Sequence, residues 1–124
     1  MAKPPQPPLS AKETVFIKNI AKDCKCKVTR EVSTRHELAC KPVDLHDWFI
    51  ITLEYGMLKR PINRDSLKNV SSVMVKKLLK DIIGSGVYKT ITVMHMLKRE
   101  NEIFTIVDFT YDGQGVLITK NLYD

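Results

Sequence analysis

The stretch from Asp65 to Ile83 constrains the fold most. Leu67, Val70, Met74, Leu78 and Ile82 recur at three- and four-residue steps. One face of a helix is therefore apolar and has to be buried against a second layer. Val75 and Leu79 widen the stripe, and Lys68, Lys76, Lys77 and Lys80 take other positions. The last three lie where the helix dipole favours positive charge. Asp65 or Ser66 is placed to cap the start of the helix, and Gly84 and Gly86 to end it.

Strand-like runs follow. Tyr88 to Leu97 carries Ile91, Val93, Met94 and Met96; Glu102 to Tyr111 carries Ile103, Phe104, Ile106, Val107 and Phe109. A third run is Val116-Leu117-Ile118-Thr119. The polar turn Lys98-Arg99-Glu100-Asn101 and the pair Asp112-Gly113 separate them. Connections this short join antiparallel neighbours, so the sequence predicts a β-meander.

The first half is harder to read. Leu45, Trp48, Phe49, Thr52, Leu53 and Met57 recur at helical spacing behind Asp44, a suitable N-cap. The core of that stretch, Trp48 to Leu53, is nevertheless rich in β-formers. Helix is the favoured reading of Asp44 to Leu58. Thr14-Val15-Phe16-Ile17 reads as a short strand, and Cys24-Lys25-Cys26-Lys27-Val28 alternates with the period of a half-buried strand. Residues 1–12 read as a disordered tail rich in proline (Pro4, Pro5, Pro7, Pro8), and residues 13–124 as a single domain. The predicted class is α+β: two helices packed on an antiparallel β-meander, with an extra N-terminal strand or hairpin as an option.

Bulk properties narrow the function. No window approaches the roughly 20 apolar residues of a membrane span, and Met1-Ala2-Lys3-Pro4-Pro5 is not a secretory leader. Three cysteines, an odd number, argue for a reducing compartment; cytoplasm, with the nucleus as alternative, is the expected location. Residues 1–42 carry nine Lys/Arg against four Asp/Glu, and residues 43–124 eleven against ten. The helix and meander are thus almost neutral, unlike the basic face of a typical nucleic-acid binder.

Catalytic signatures are not found: there is no GxSxG, no Walker-type glycine loop and no HExxH. No enzyme and no cofactor are expected. His95 alternates with Ile91, Val93 and Leu97 and reads as a core or groove-lining residue, and His46 as a helix-surface residue. Cys24, Cys26, His36 and Cys40 form the one metal-like set, an alternative zinc site, but the one-residue spacer between the first two favours strand packing. Lys25, Lys27 and Arg30 are the residues of an alternative reading, nucleic-acid binding. Few aromatics lie near them to stack bases.

The order helix, helix, meander resembles the Tctex-type dynein light chains. The likeness is carried by the helix Leu67 to Ile83 ending at Gly84, by Val87-Tyr88-Lys89 opening a strand, and by Tyr111-Asp112-Gly113, Val116-Leu117-Ile118 and Asn121-Leu122-Tyr123. It covers roughly the last 80 residues. The chain departs from the family in having Tyr111 where a Trp is usual, in a fourth strand for which no residues follow Asp124, and in its first 42 residues. A strand at Asp44 to Leu58 would give β-α-β-β-β, and the family reading would fail. The resemblance implies a non-enzymatic adaptor that dimerises and holds an extended segment of a partner, such as a dynein intermediate chain, by β-augmentation. It implies Ile103, Thr105, Val107, Phe109 and Tyr111 as the partner-binding and dimer strand.

Overall fold

In a computed structural model, residues 6–33, 48–56 and 63–123 are described. The elements run α1 (Ala11–Cys24), β1 (Lys27–Ser33), β2 (Trp48–Tyr55), α2 (Arg64–Lys77) with a π-helical extension (Leu78–Ile82), β3 (Thr90–Arg99), β4 (Glu102–Asp112) and β5 (Leu117–Leu122). The class is α+β as the sequence predicts. The five strands form one sheet in the order β1-β2-β3-β4-β5. The antiparallel meander β3-β4-β5 is present, and β1 is the added N-terminal strand, antiparallel to β2. β2 and β3 are parallel, with α2 crossing between them.

Three expectations for the first half are corrected. Thr14 to Ile17 lies inside α1. Its β-branched residues are overridden by a capping box: Ser10 Oγ accepts from the Glu13 N–H at 3.1 Å and Glu13 Oε1 accepts from the Ser10 N–H at 3.3 Å. Phe16 is buried, and Ile17, Ile20 and Cys24 pack with it on the core at helical spacing. The alternation from Cys24 to Val28 is not one strand either. Cys24 ends α1, Lys25 takes the left-handed cap conformation (φ 52°), and the strand begins at Lys27. Third, the centre of Asp44 to Leu58 is strand β2. Phe49, Ile51, Leu53 and Tyr55 alternate towards the helices, but Ile50 is buried too. A strand flanked by strands on both sides and buried on both faces loses the clean period of two. The order is therefore α-β-β-α-β-β-β, and the two successive helices expected ahead of the meander are not found: a strand, β2, directly precedes α2 among the described residues. The domain also starts earlier than residue 13, since α1 begins at Ala11 and Gln6 contacts β1.

One layer of helices covers one face of the sheet. Met74, Val75, Leu78 and Leu79 bring the predicted stripe down onto Ile91, Val93, Val107, Phe109 and Tyr111. The cap of α2 is Asn63, two residues ahead of the nearer expected cap, Asp65; its Oδ1 accepts from the N–H groups of Asp65 and Ser66. Burying a stripe of this kind stabilises by roughly 1.5–3 kcal/mol per large aliphatic side chain. On the opposite face Trp48 Nε1 donates to Thr92 Oγ1 at 2.8 Å, and Thr92 Oγ1 lies 3.0 Å from Thr110 Oγ1.

The turn between β4 and β5 is held by Asp112, whose Oδ1 accepts from the N–H groups of Gln114 and Val116. Gly113 packs so close to the α2–β3 connection that a Cβ there would lie 2.4 Å from the Tyr88 carbonyl oxygen. Backbone cannot yield as a flexible side chain does. Gly113→Ala is expected to lower the unfolding free energy by about 1–3 kcal/mol, read as a shifted urea midpoint.

Candidate docking edges

An open sheet has two edges, and here they are built differently. β5 is the last strand, bonded only to β4 among the described residues. Tyr123 N–H donates inward to Ile106 O at 2.9 Å. Alternation then turns the N–H and C=O of Leu122 and Lys120 away from β4. Val116, Ile118 and Leu122 each keep more than half of their surface exposed. Ile118 is the extra residue at an irregularity in the pairing, where Thr110 faces Thr119 and Tyr111 faces Leu117. An edge of this kind, with one charge and no proline along its six residues, is a template for another strand.

The end of β5 is fastened by Asp108. It accepts from Asn121 Nδ2 at 3.0 Å and from the Tyr123 hydroxyl at 2.7 Å. The hydrogen bond to Asp108, followed by desolvation, pushes the Tyr123 phenol up from its ordinary pKa. Arg64 Nη2 donates to Tyr123 O at 2.8 Å. Beside it a groove of about 320 Å³ is lined by Arg64, Leu97, Arg99, Phe104, Ile106 and Tyr123. The Arg99 guanidinium sits 5.7 Å from the centre of the Phe104 ring. The groove thus offers positive charge and an apolar wall at the end of the open edge.

The β1 edge is covered in part by the chain's own tail. Val32 N–H donates to Gln6 Oε1 at 2.6 Å, and Gln6 Nε2 donates to Val32 O at 3.1 Å. Arg30 donates through Nη2 to Pro7 O and through Nη1 to Glu13 Oε2 at 3.1 Å. The Arg30 and Glu13 side chains are 4% and 14% exposed.

The site residues expected from the sequence divide accordingly. Val107, Phe109 and Tyr111 are buried in β4, which is paired with β3 on one side and β5 on the other over this stretch. Within one chain they present no free edge. Ile103 and Thr105 lie beyond the reach of β5, and Ile103 is exposed. Lys25 and Lys27 are exposed, but Arg30 is buried against Glu13 and points to the opposite face of β1 from Lys27. The three do not form one phosphate-facing surface. Cys24 and Cys26 are free thiols. Burial, and secondarily each other's charge for Cys26, pushes both up, Cys26 to about 12. This works against the thiolate a metal needs. His36, Cys40 and His46 lie outside the described residues. Among the described residues no cluster of three or more His, Cys, Asp or Glu could hold a metal.

His95 is fully buried, as the alternation predicts, and carries a network the sequence did not reveal. Tyr55 Oη lies 2.8 Å from Nδ1, Ser71 Oγ lies 2.7 Å from Nε2, and the Phe109 ring meets the imidazole edge-on. Burial lowers the His95 pKa to about 4, so the ring is neutral at pH 7. A serine on an imidazole is the start of a nucleophile–base pair. Ser71 and His95 are both 0% exposed and line none of the described grooves.

The chain matches no protein-family model, no curated protein and no solved structure.

Proposed function

We propose that this protein is a non-enzymatic interaction module that binds an extended segment along β5. The observation that carries the reading is the contrast between the two edges among the described residues: at β1 the chain's own Gln6 covers Val32, whereas β5 offers outward-facing backbone groups beside exposed Val116, Ile118 and Leu122. Main-chain hydrogen bonds would supply affinity, and the Arg64–Arg99–Phe104 groove would choose the side chain at one end. The same edge can pair with its copy in a second molecule, so self-association belongs to the reading. The light-chain resemblance has lost its first helix to β2 and does not carry this reading; it only names one class of candidate partner to test. It draws only on the helix and meander from Arg64 onward.

Lys120→Pro tests this with little risk to the fold. It removes an N–H that points outward, at a position on an edge strand where proline is tolerated. Wild-type protein at tens of micromolar is expected to sediment as a dimer, or to bind extended segments of intermediate-chain type, and Lys120→Pro to lose either by tenfold or more. A wild type that stays monomeric and binds no such segment would sink the proposal, as would a Lys120→Pro variant that keeps both properties.

A further inference from the structure

The β1 edge is closed in an unusual way. A strand neighbour satisfies an edge residue with one backbone carbonyl and one backbone N–H. At Val32 both are replaced by the primary amide of Gln6: Oε1 takes the N–H at 2.6 Å and Nε2 reaches the carbonyl at 3.1 Å. Two residues back on the same edge, Arg30 Nη2 holds the Pro7 carbonyl. The occupant therefore runs antiparallel to β1, with glutamine at Val32 and proline at Arg30.

Arg30 is built as a receptor. Its side chain is 4% exposed, Glu13 fixes one end of the guanidinium, and Nε is buried without a hydrogen-bond partner. A buried cation with an unused donor is costly for a site whose only task is to hold a tail. The tail itself is a weak occupant. Pro7 and Pro8 lack the N–H groups that would extend the pairing. Among the described residues, its hydrogen bonds to β1 are the two made by the Gln6 amide and the one accepted by the Pro7 carbonyl.

We infer that the β1 edge is a recognition site for an extended Gln-Pro segment of a partner protein, with Gln6–Pro7 as its intramolecular stand-in. The glutamine amide reads the Val32 backbone, and the carbonyl of the following proline docks on Arg30. A partner segment has to displace a tail separated by two residues from the α1 cap, Ser10, and the tail's effective concentration is in the millimolar range. The site is thus masked until a better segment arrives. It is separate from β5 and does not depend on what β5 binds.

The test uses the full chain and a fluorescently labelled peptide with the sequence of residues 4–10, Pro-Pro-Gln-Pro-Pro-Leu-Ser. Gln6→Ala disables the resident tail and leaves the receptor intact. The peptide is expected to bind the Gln6→Ala chain about tenfold more tightly than wild type, and to shift the Val32 amide resonance. A peptide with alanine for its glutamine is expected to bind neither chain. Gln6→Glu provides a second chain of native side-chain length, since a carboxylate cannot donate to Val32 O. Equal affinity for wild type and both variants, indifference to the peptide's glutamine, or no binding at millimolar peptide would each overturn the inference.

Discussion

Lowering the pH from 7 to 4 is expected to remove about 3 kcal/mol of unfolding free energy through His95 alone. In the folded chain burial brings its pKa down to about 4, against an ordinary 6.5 in the unfolded chain. Above pH 6.5 the ring is neutral in both states and contributes no slope. Between 6.5 and 4 the unfolded chain takes up a proton that the folded chain refuses, so stability falls by about 1.4 kcal/mol per pH unit. Below 4 both states are protonated and the loss is complete. The groups facing the ring, Tyr55 Oη, Ser71 Oγ and the Phe109 edge, are all uncharged and offer the imidazolium no counter-ion. His95→Gln isolates the effect from the carboxylates, which titrate in both proteins. At pH 7 the variant should be about 1–3 kcal/mol less stable, because a buried hydroxyl loses its partner. The urea curves of the two proteins should converge as the pH approaches 4. Parallel curves would mean that the ring is not buried neutral.

This network shows where the sequence was legible and where it was not. The burial of His95 follows from its alternation with Ile91, Val93 and Leu97. Its partners could not be inferred, since Tyr55 comes from a strand that read as helix and Ser71 from a helix 24 residues away. The second half of the chain was readable because its signals are local: a 3.6-residue stripe, glycines at its end, and turns a few residues long. In the first half local signals conflict with tertiary ones. Thr14 to Ile17 has the residues of a strand, yet Ser10 and Glu13 hold a capping box that was present to be read. β2 is buried on both faces and parallel to β3, so neither periodicity nor a tight turn marks it. The docking edges follow the same rule. A strand's place at an edge depends on topology: β4, which the resemblance implies as the partner strand, is paired on both sides, and β5 is the outer strand. Gln6 gave no signal at all, because its partner, Val32, is 26 residues away.

Glu13→Gln is expected to destabilise the protein by about 3 kcal/mol, and Arg30→Met by only about 1. The asymmetry follows from burial. Arg30 is the deeper member of the pair, and neutralising its partner leaves a desolvated cation with a neutral acceptor, the costly way to break a buried pair. Removing Arg30 instead leaves Glu13 in the first turn of α1, where the helix dipole favours it and the Ser10 N–H remains its partner. Methionine fills most of the vacated volume with no charge to solvate. The double variant Glu13→Gln/Arg30→Met should therefore be about as stable as Arg30→Met alone, a coupling of about 3 kcal/mol by urea titration. If the two single losses simply add, the pair contributes through packing rather than charge. The outcome also bears on the tail. Arg30 joins Glu13 of α1, its own strand and Pro7, so the residue that makes the β1 edge selective is held in place by the helix that begins four residues after Pro7. Loss of Glu13 should loosen α1 and the tail together, seen as faster amide exchange at Val32 than in the Arg30→Met variant at matched stability.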